Sequence, residues 1–179
     1  MGKKLGVLFF SRSPEKVAKD LLGKVLFIKE GKTFLKSKIV EVEAYFGERD
    51  PASWARFGKR KDNSMMWEKP GTVLIKNVHK HLMLNFVTGK KGEASAVLVR
   101  AVEPIKFSER TNGPGLLTKA LKISKDLNGE NAFGDKIFIE REMSFEKFEI
   151  VKTKRVGVKK DLKQLLRFYI KGNKFVSKK

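Results

Sequence analysis

The sequence has no cysteine. Disulfides, thiolate nucleophiles and zinc sites built on sulfur are therefore excluded. Its two histidines, His79 and His81, are spaced i, i+2 and on a strand would point the same way. No third nitrogen or sulfur ligand exists, so carboxylates would have to complete a transition-metal site, and a metal is not expected. Gln164 is the only glutamine, beside heavy use of lysine, a balance that leans toward a heat-adapted source. No apolar run approaches the ~20 residues of a membrane span. The segment Met1–Phe10 lacks a full apolar region and a small-residue cleavage site, so it reads as a strand rather than a signal peptide. There is no glycine-rich phosphate loop, no dinucleotide fingerprint and no Gly-x-Ser-x-Gly elbow. A cytosolic or nucleoid location fits these absences best.

Acidic residues are also scarce, 20 against 40 Lys+Arg, for a formal charge of +20. Such an excess favours a polyanionic partner through counterion release. It does not choose among DNA, RNA and an acidic membrane surface. The excess is concentrated in residues 147–179, where 12 Lys+Arg face only Glu149 and Asp161. Those cations alternate with Phe148, Val151, Val156, Leu162, Leu165, Leu166, Phe168 and Ile170, so the segment belongs to folded structure with a basic face. With 179 residues, 41% of them hydrophobic, the chain fits one domain, 1–179, with a substantial core.

Patterning along the chain gives mostly strands. Ser13-Pro14-Glu15 starts a helix whose apolar face is Val17, Ala18, Leu21 and Leu22, ended by Gly23. Residues 24–28 and 34–46 read as a hairpin through Glu30-Gly31-Lys32. Asp50-Pro51 predicts a short helix through Trp54, and 56–69 a polar loop. Residues 73–87 predict a second hairpin, turning near 77–80. Strands follow at 94–102, 136–140 and 167–171, with a helix after Asn112-Gly-Pro-Gly115 that turns Leu116, Leu117, Ala120 and Leu121 inward. The expected fold is α+β: a single domain with a curved, largely antiparallel sheet, a few flanking helices and a protruding hairpin.

Period-two alternation places Val40, Val42, Ala44 and Phe46 on one strand face and Glu41, Glu43 and Tyr45 on the other. The pattern alone favours an exposed polar face, since carboxylates are mostly exposed. The sharper reading is a general base beside an aromatic. Arg100, at the end of the apolar run 96–99, must find a carboxylate or a ligand. Trp54 can be core or can stack on an extruded base. The glycines at 113 and 115 suit a phosphate or a plain turn-and-cap.

Taken in order, the segments Ile-Val-Glu-Val-Glu-Ala-Tyr-Phe-Gly (39–47), Met-Met-Trp-Glu-Lys-Pro-Gly-Thr (65–72), Leu-Met-Leu-Asn (82–85), Val-Leu-Val-Arg-Ala-Val-Glu-Pro (97–104), Asn-Gly-Pro-Gly-Leu-Leu-Thr-Lys-Ala-Leu (112–121), Ile-Phe-Ile-Glu-Arg (137–141), Arg-Val-Gly-Val (155–158) and Leu-Arg-Phe-Tyr-Ile-Lys-Gly (166–172) resemble the alkyladenine (3-methyladenine, N-methylpurine) DNA glycosylases. The resemblance covers nearly the whole chain. It implies a monomeric, monofunctional enzyme, without metal or cofactor, that flips a damaged purine out of double-stranded DNA and hydrolyses its N-glycosidic bond. It makes Glu43 the base that activates water and Arg100 the cation that keeps Glu43 ionised. Val156 falls where the family uses a backbone carbonyl on that water. Tyr45, Trp54 and Asn85 fall in the base pocket, Asn85 where it crowds guanine's exocyclic amine. Val78, His79 and Lys80 fall at the hairpin tip that contacts DNA. Trp54 replaces a family histidine, Lys76 stands near a family tyrosine, and the intercalating tyrosine has no counterpart. A non-catalytic or RNA-binding protein keeping the fold, or a lyase using a lysine Schiff base, stand as the alternatives.

Overall fold

The structure is a computed structural model that describes residues 2–141 and 147–178. Its frame is one eight-stranded sheet in which every pairing is antiparallel. The strands are β1 (Val25–Glu30), β2 (Thr33–Tyr45), β3 (Val73–Val78), β4 (His81–Val87), β5 (Ala96–Ile105), β6 (Ile137–Glu140), β7 (Ile150–Thr153) and β8 (Arg167–Ile170). The main path runs β3-β4-β5-β2-β1-β6, with β8 joining β2 and β7 pairing β8. Three short helices flank it: α1 (Val7–Phe10), α2 (Pro14–Leu21) and α3 (Pro114–Ala120). The expected α+β class, curled antiparallel sheet and small helical content are all found.

The long strand β2 organises the molecule. One edge pairs with β5 along nearly its whole length. The other edge pairs with β1 up to Lys38 and with β8 from Glu41 to Glu43. A strand that changes partners must bend, and the β2–β5 register breaks at Glu41, between Ile39↔Val102 and Val42↔Val99. Arg100 falls inside the break. Such irregularities re-aim side chains and increase local twist. Residues 39–44 are buried throughout, so both faces of this part of β2 are covered. Val40, Val42 and Ala44 join the core with Leu21, Leu22, Val97, Val99 and Phe168. The opposite face is left to carry Glu41 and Glu43.

The helix at Ser13-Pro14 forms as expected, with the Ser13 hydroxyl accepting from the Lys16 amide and Val17, Ala18 and Leu21 buried. The β1–β2 and β3–β4 hairpins also form. Three local expectations are corrected. Among the described residues 2–10 there is no strand: Lys4 makes an isolated bridge to Glu140, and Val7–Phe10 turn into α1, which drops Phe10 into the core against Phe86. No helix follows Asp50. Its carboxylate accepts from the Phe46 and Ala52 amides, as a cap would, but is drawn into an ion pair with Arg155, and the segment stays a series of turns. Strand β7 is an addition that the residue pattern does not predict. In α3, Leu117 and the following Leu121 are fully buried, whereas Leu116 and Ala120 are half-buried. The basic C-terminal stretch divides only in part as its pattern implies: Leu166, Phe168 and Ile170 are buried while Lys159, Lys160, Lys163 and Lys171 are exposed, but Phe148 and Leu165 are exposed as well. Among the described residues, no helix is long and apolar enough to cross a membrane.

Candidate active site

Direct cross-strand pairs put side chains on the same face of a sheet. Arg167, Glu43, Leu98, Asn85 and Leu74 pair in succession across β8, β2, β5, β4 and β3, so they form one row. Two strand spacings separate the backbones of Glu43 and Asn85, about 10 Å. Over this face lies a cavity of about 360 Å³, the scale of a small-ligand site. Its floor follows the alternation: Leu74, Lys76 and Val78 from β3, Met83 and Asn85 from β4, Ala96, Leu98 and Arg100 from β5, and Tyr45 from β2. Ala52, Trp54, Met66, Pro114 and residues 156–158 complete the walls.

Glu43 lies behind this wall, fully buried. Two hydrogen-bond donors and one ion-pair partner hold it, and all three residues line the cavity. The Val156 amide donates to Oε1 at 2.7 Å, Tyr45 Oη donates to Oε2 at 2.8 Å, and Arg100 Nη1 lies 3.3 Å from Oε1. Burial nevertheless dominates and raises the Glu43 pKa above the ordinary carboxylate range, with Arg100, Val156 and Tyr45 opposing it and Glu41 adding to it. Arg100 acts in the direction expected of it, without setting the net shift. The arginine lowers the pKa, but desolvation outweighs it. Burial and the neighbouring Glu43 push the Tyr45 phenol far upward, so Tyr45 remains a donor.

Glu41, two residues away on the same face, is equally buried but otherwise engaged. Its Oε1 accepts from Arg100 Nε at 2.9 Å, Arg167 Nε at 2.8 Å and Ser177 Oγ at 2.8 Å, and its Oε2 from the Ser177 amide at 2.6 Å. Arg167 also donates to the Lys178 carbonyl. The polar strand face expected from alternation is therefore not exposed. It is a covered pair of carboxylates, one saturated by two arginines and a serine, the other turned to the cavity wall.

A second buried ion group fixes the loop that carries Val156. Arg155 is sandwiched between Asp50, at 2.6 and 2.7 Å, and Asp161, at 2.6 Å, and donates to the Ala44 carbonyl at 3.0 Å. Its guanidinium lies 4.5 Å from the Tyr45 ring centroid. One cation thus ties down the end of β2, the Tyr45 ring and the amide of the next residue. Of Asp50, Arg155 and Val156, the sequence gives a site role to Val156 alone, with Asp50 read as a helix start and Arg155 only as part of the 155–158 motif. The available signals were the Arg155-Val156 dipeptide and the pairing need of a buried arginine.

The other expected residues are dispersed over the same region. Trp54 packs on a small satellite core of Ala55, Met66, Leu74, Val87 and Ala96, and Lys76 Nζ lies 4.8 Å over its ring. Asn85 donates through Nδ2 to the carbonyls of Met83, at 3.0 Å, and Leu74, at 3.3 Å. Val78 faces the cavity, whereas His79 and Lys80 form the exposed hairpin turn. His79 takes φ 54°, a left-handed conformation strained for a residue with a side chain. His79 and His81 do not share a strand face, because His81 begins β4 after the turn. Among the described residues, no cluster of His, Asp and Glu is arranged to hold a metal. Gly115 packs against the His81 side chain, where a Cβ would come within 2.8 Å, so the glycine at that position serves close approach.

Beside the cavity, sharing Ala52, Gly157 and Val158 with it, runs an open groove lined by Arg49, Arg56, Phe57, Lys159 and Lys160, with Glu48 its single acid. Phe57 is 70% exposed and stacks under the Arg56 guanidinium at 4.5 Å. Nothing in the sequence pattern singles out Phe57.

Fold and site define a strongly basic α+β protein with an aromatic cavity backed by a buried carboxylate. The family model described as methylpurine-DNA glycosylase matches residues 8–174. Similar curated proteins include one from Aeropyrum pernix, 38% identical over 99% of this chain and 95% of its own length. One from Legionella pneumophila (strain Corby) is 40% identical over 98% and 99%, and one from Clostridium novyi is 40% identical over 99% and 100%. Each bears the name "Putative 3-methyladenine DNA glycosylase". The chain belongs to the methylpurine-DNA glycosylase family.

Proposed function

We propose that this protein hydrolyses the N-glycosidic bond of damaged purines flipped out of double-stranded DNA, initiating base excision repair. The observation that carries the reading is Glu43: a buried carboxylate with two fixed donors and one arginine beside it, each from a residue lining a base-sized cavity. Glu43 takes a proton from water as the water oxygen bonds to the sugar C1′. The bond to N9 breaks, and its electron pair leaves with the purine. A carboxylate whose pKa lies above the ordinary range is a stronger base, and general bases work best when poised toward the operating pH. Its charge, once ionised, also stabilises the cationic character that develops on the sugar. Arg100, Tyr45 and the Val156 amide orient the carboxylate. The Val156 carbonyl is proposed to hold the water. Asn85, Tyr45 and Trp54 contact the base, and Asn85 crowds guanine's exocyclic amine.

Val78, His79 and Lys80 at the strained hairpin tip, with the basic groove beside the cavity, are proposed to contact the duplex. Wedges in the minor groove are usually apolar, which favours Val78 with His79 beside it. The protein acts as a monomer where DNA is, in the cytoplasm or nucleoid. The test is a set of duplexes, each with one lesion, in which free-base release is measured for the unmodified protein and for Glu43→Gln. Release lost in the variant supports the reading, and full release by Glu43→Gln overturns it. Borohydride trapping of a covalent adduct would instead indicate a lysine nucleophile.

A further inference from the structure

Lys76 brings a positive charge into the cavity. It shares the cavity face of β3 with Leu74 and Val78, and its ammonium lies 4.8 Å over the Trp54 ring. Among the described residues no carboxylate forms an ion pair with it. Loss of water and the nearby Arg56 weaken its hold on its proton, with Asp62 acting against them. A cation so placed is unfavourable beside a purine carrying a fixed positive charge, as N3- or N7-methylated purines do.

The leaving group makes the same distinction in the transition state. A cationic purine departs as a neutral base, whereas a neutral purine departs with an electron pair that makes it anionic. An ammonium near the ring edge stabilises only the second, and interactions present only in the transition state accelerate the chemical step. The hydrogen-bonding pattern agrees. Lys76 pairs with Met83, and Leu74 with Asn85, so Lys76 and Asn85 are diagonal neighbours on one face, about 7–8 Å apart at the backbone and within reach of a long side chain. Both Nδ2 hydrogens of Asn85 go to backbone carbonyls, which leaves Oδ1 to accept. A donor from Lys76 and an acceptor from Asn85 complement a C6 carbonyl beside N1–H. Adenine presents the reverse order.

Resting on the glycosylase reading above, we infer that Lys76 selects neutral 6-oxopurines without an exocyclic amine, hypoxanthine in duplex DNA being the case to test, over cationic N-methylated purines. The N9–C1′ bond breaks with its electrons on the purine, the water proton goes to Glu43, and Lys76 keeps its own proton while donating a hydrogen bond.

The test compares single-turnover base release from duplexes containing hypoxanthine or 7-methylguanine, by the unmodified protein, Lys76→Met and Lys76→Arg. Lys76→Met should lose about tenfold or more on hypoxanthine, the scale of one removed polar interaction, while release of 7-methylguanine holds or rises. Lys76→Arg keeps the charge and should keep the preference. Equal loss on both duplexes in Lys76→Met, or no loss on either, overturns the assignment. Loss of the preference in a folded Lys76→Arg also overturns the charge argument. No release from either duplex by the unmodified protein would instead fail the glycosylase reading itself.

Discussion

Arg100 is shared between two buried carboxylates, 2.9 Å from Glu41 through Nε and 3.3 Å from Glu43 through Nη1. The sharing is unequal. Glu41, held also by Arg167 and Ser177, anchors the guanidinium, while Glu43 receives its charge without being locked into a tight pair. A free arginine would close on Glu43 and hold it as an inert ion pair. One fastened from behind leaves it able to accept a proton.

Replacing Glu43 by glutamine should abolish base release while leaving the fold intact, with the chemical step reduced by at least the 10²–10⁴-fold usual for a lost general base. Stability should move the other way at neutral pH. The folded-state pKa of Glu43 is raised, so the stability this group lends is present at acid pH and lost as pH rises through that value. Glu43→Gln should therefore gain about 0.5–2 kcal/mol near pH 8. The gain should shrink toward pH 4, as followed by thermal melts across pH.

The acid limb of kcat/KM should lie above the ordinary carboxylate range, because the base must be ionised and its pKa is raised by burial. Arg100→Gln removes the leading opposing influence, so its limb should move to higher pH. Tyr45→Phe should shift it in the same direction, since the missing hydrogen bond also favours the carboxylate. A limb that moves down in Arg100→Gln, or stays put, would show that another group controls the profile.

Asp50→Ala leaves Arg155 buried with half of its ion pairs. Breaking a buried pair from one side costs about 3–5 kcal/mol, so the thermal midpoint should fall sharply. Among molecules still folded at low temperature, base release should also drop, because Arg155, held from one side only, no longer fixes the Tyr45 ring and the Val156 amide in place. Retained stability would show that Asp161 alone suffices to hold Arg155.

Neutralising Lys159 and Lys160 to glutamine should weaken duplex binding in the Glu43→Gln background. For every phosphate that goes unneutralised, the dependence of log affinity on log salt should flatten by about 0.9. An unchanged slope would take the groove beside the cavity off the DNA path. Phe57→Ala tests whether the exposed ring stacks on a base: it should lower affinity with little change in slope, since it removes a stacking surface and leaves the charge as it was.

The sheet is legible from the sequence because alternation and turn chemistry at Gly31 and around His79 are local signals. What is not legible depends on residues distant in the chain. Alternation places Glu41 and Glu43 on one face correctly, but their burial comes from β8 and residues 155–178, which no period in β2 encodes. Asp50 shows the same failure: its Asp-Pro signal predicts a helix start, and a buried arginine more than a hundred residues later takes the carboxylate instead. Glu43, Tyr45, Arg100 and Asn85 stand out because ordered motifs carry them, not because their spacing reveals a cavity. Phe57 carries neither kind of signal.

The partner change along β2 has a consequence for the making of the protein. The catalytic candidate Glu43 precedes Val156 and Arg167, which complete its surroundings, by more than a hundred residues, so it is made well before them. The hairpins and the early pairing of β2 with β1 and β5 can form on the growing chain, since such contacts are closer in sequence. The carboxylate pair stays wet until β8 docks. The proposed activity would thus be withheld until the residues that pair with β2 at Glu43 have been made and have docked, which makes that late docking its licensing step.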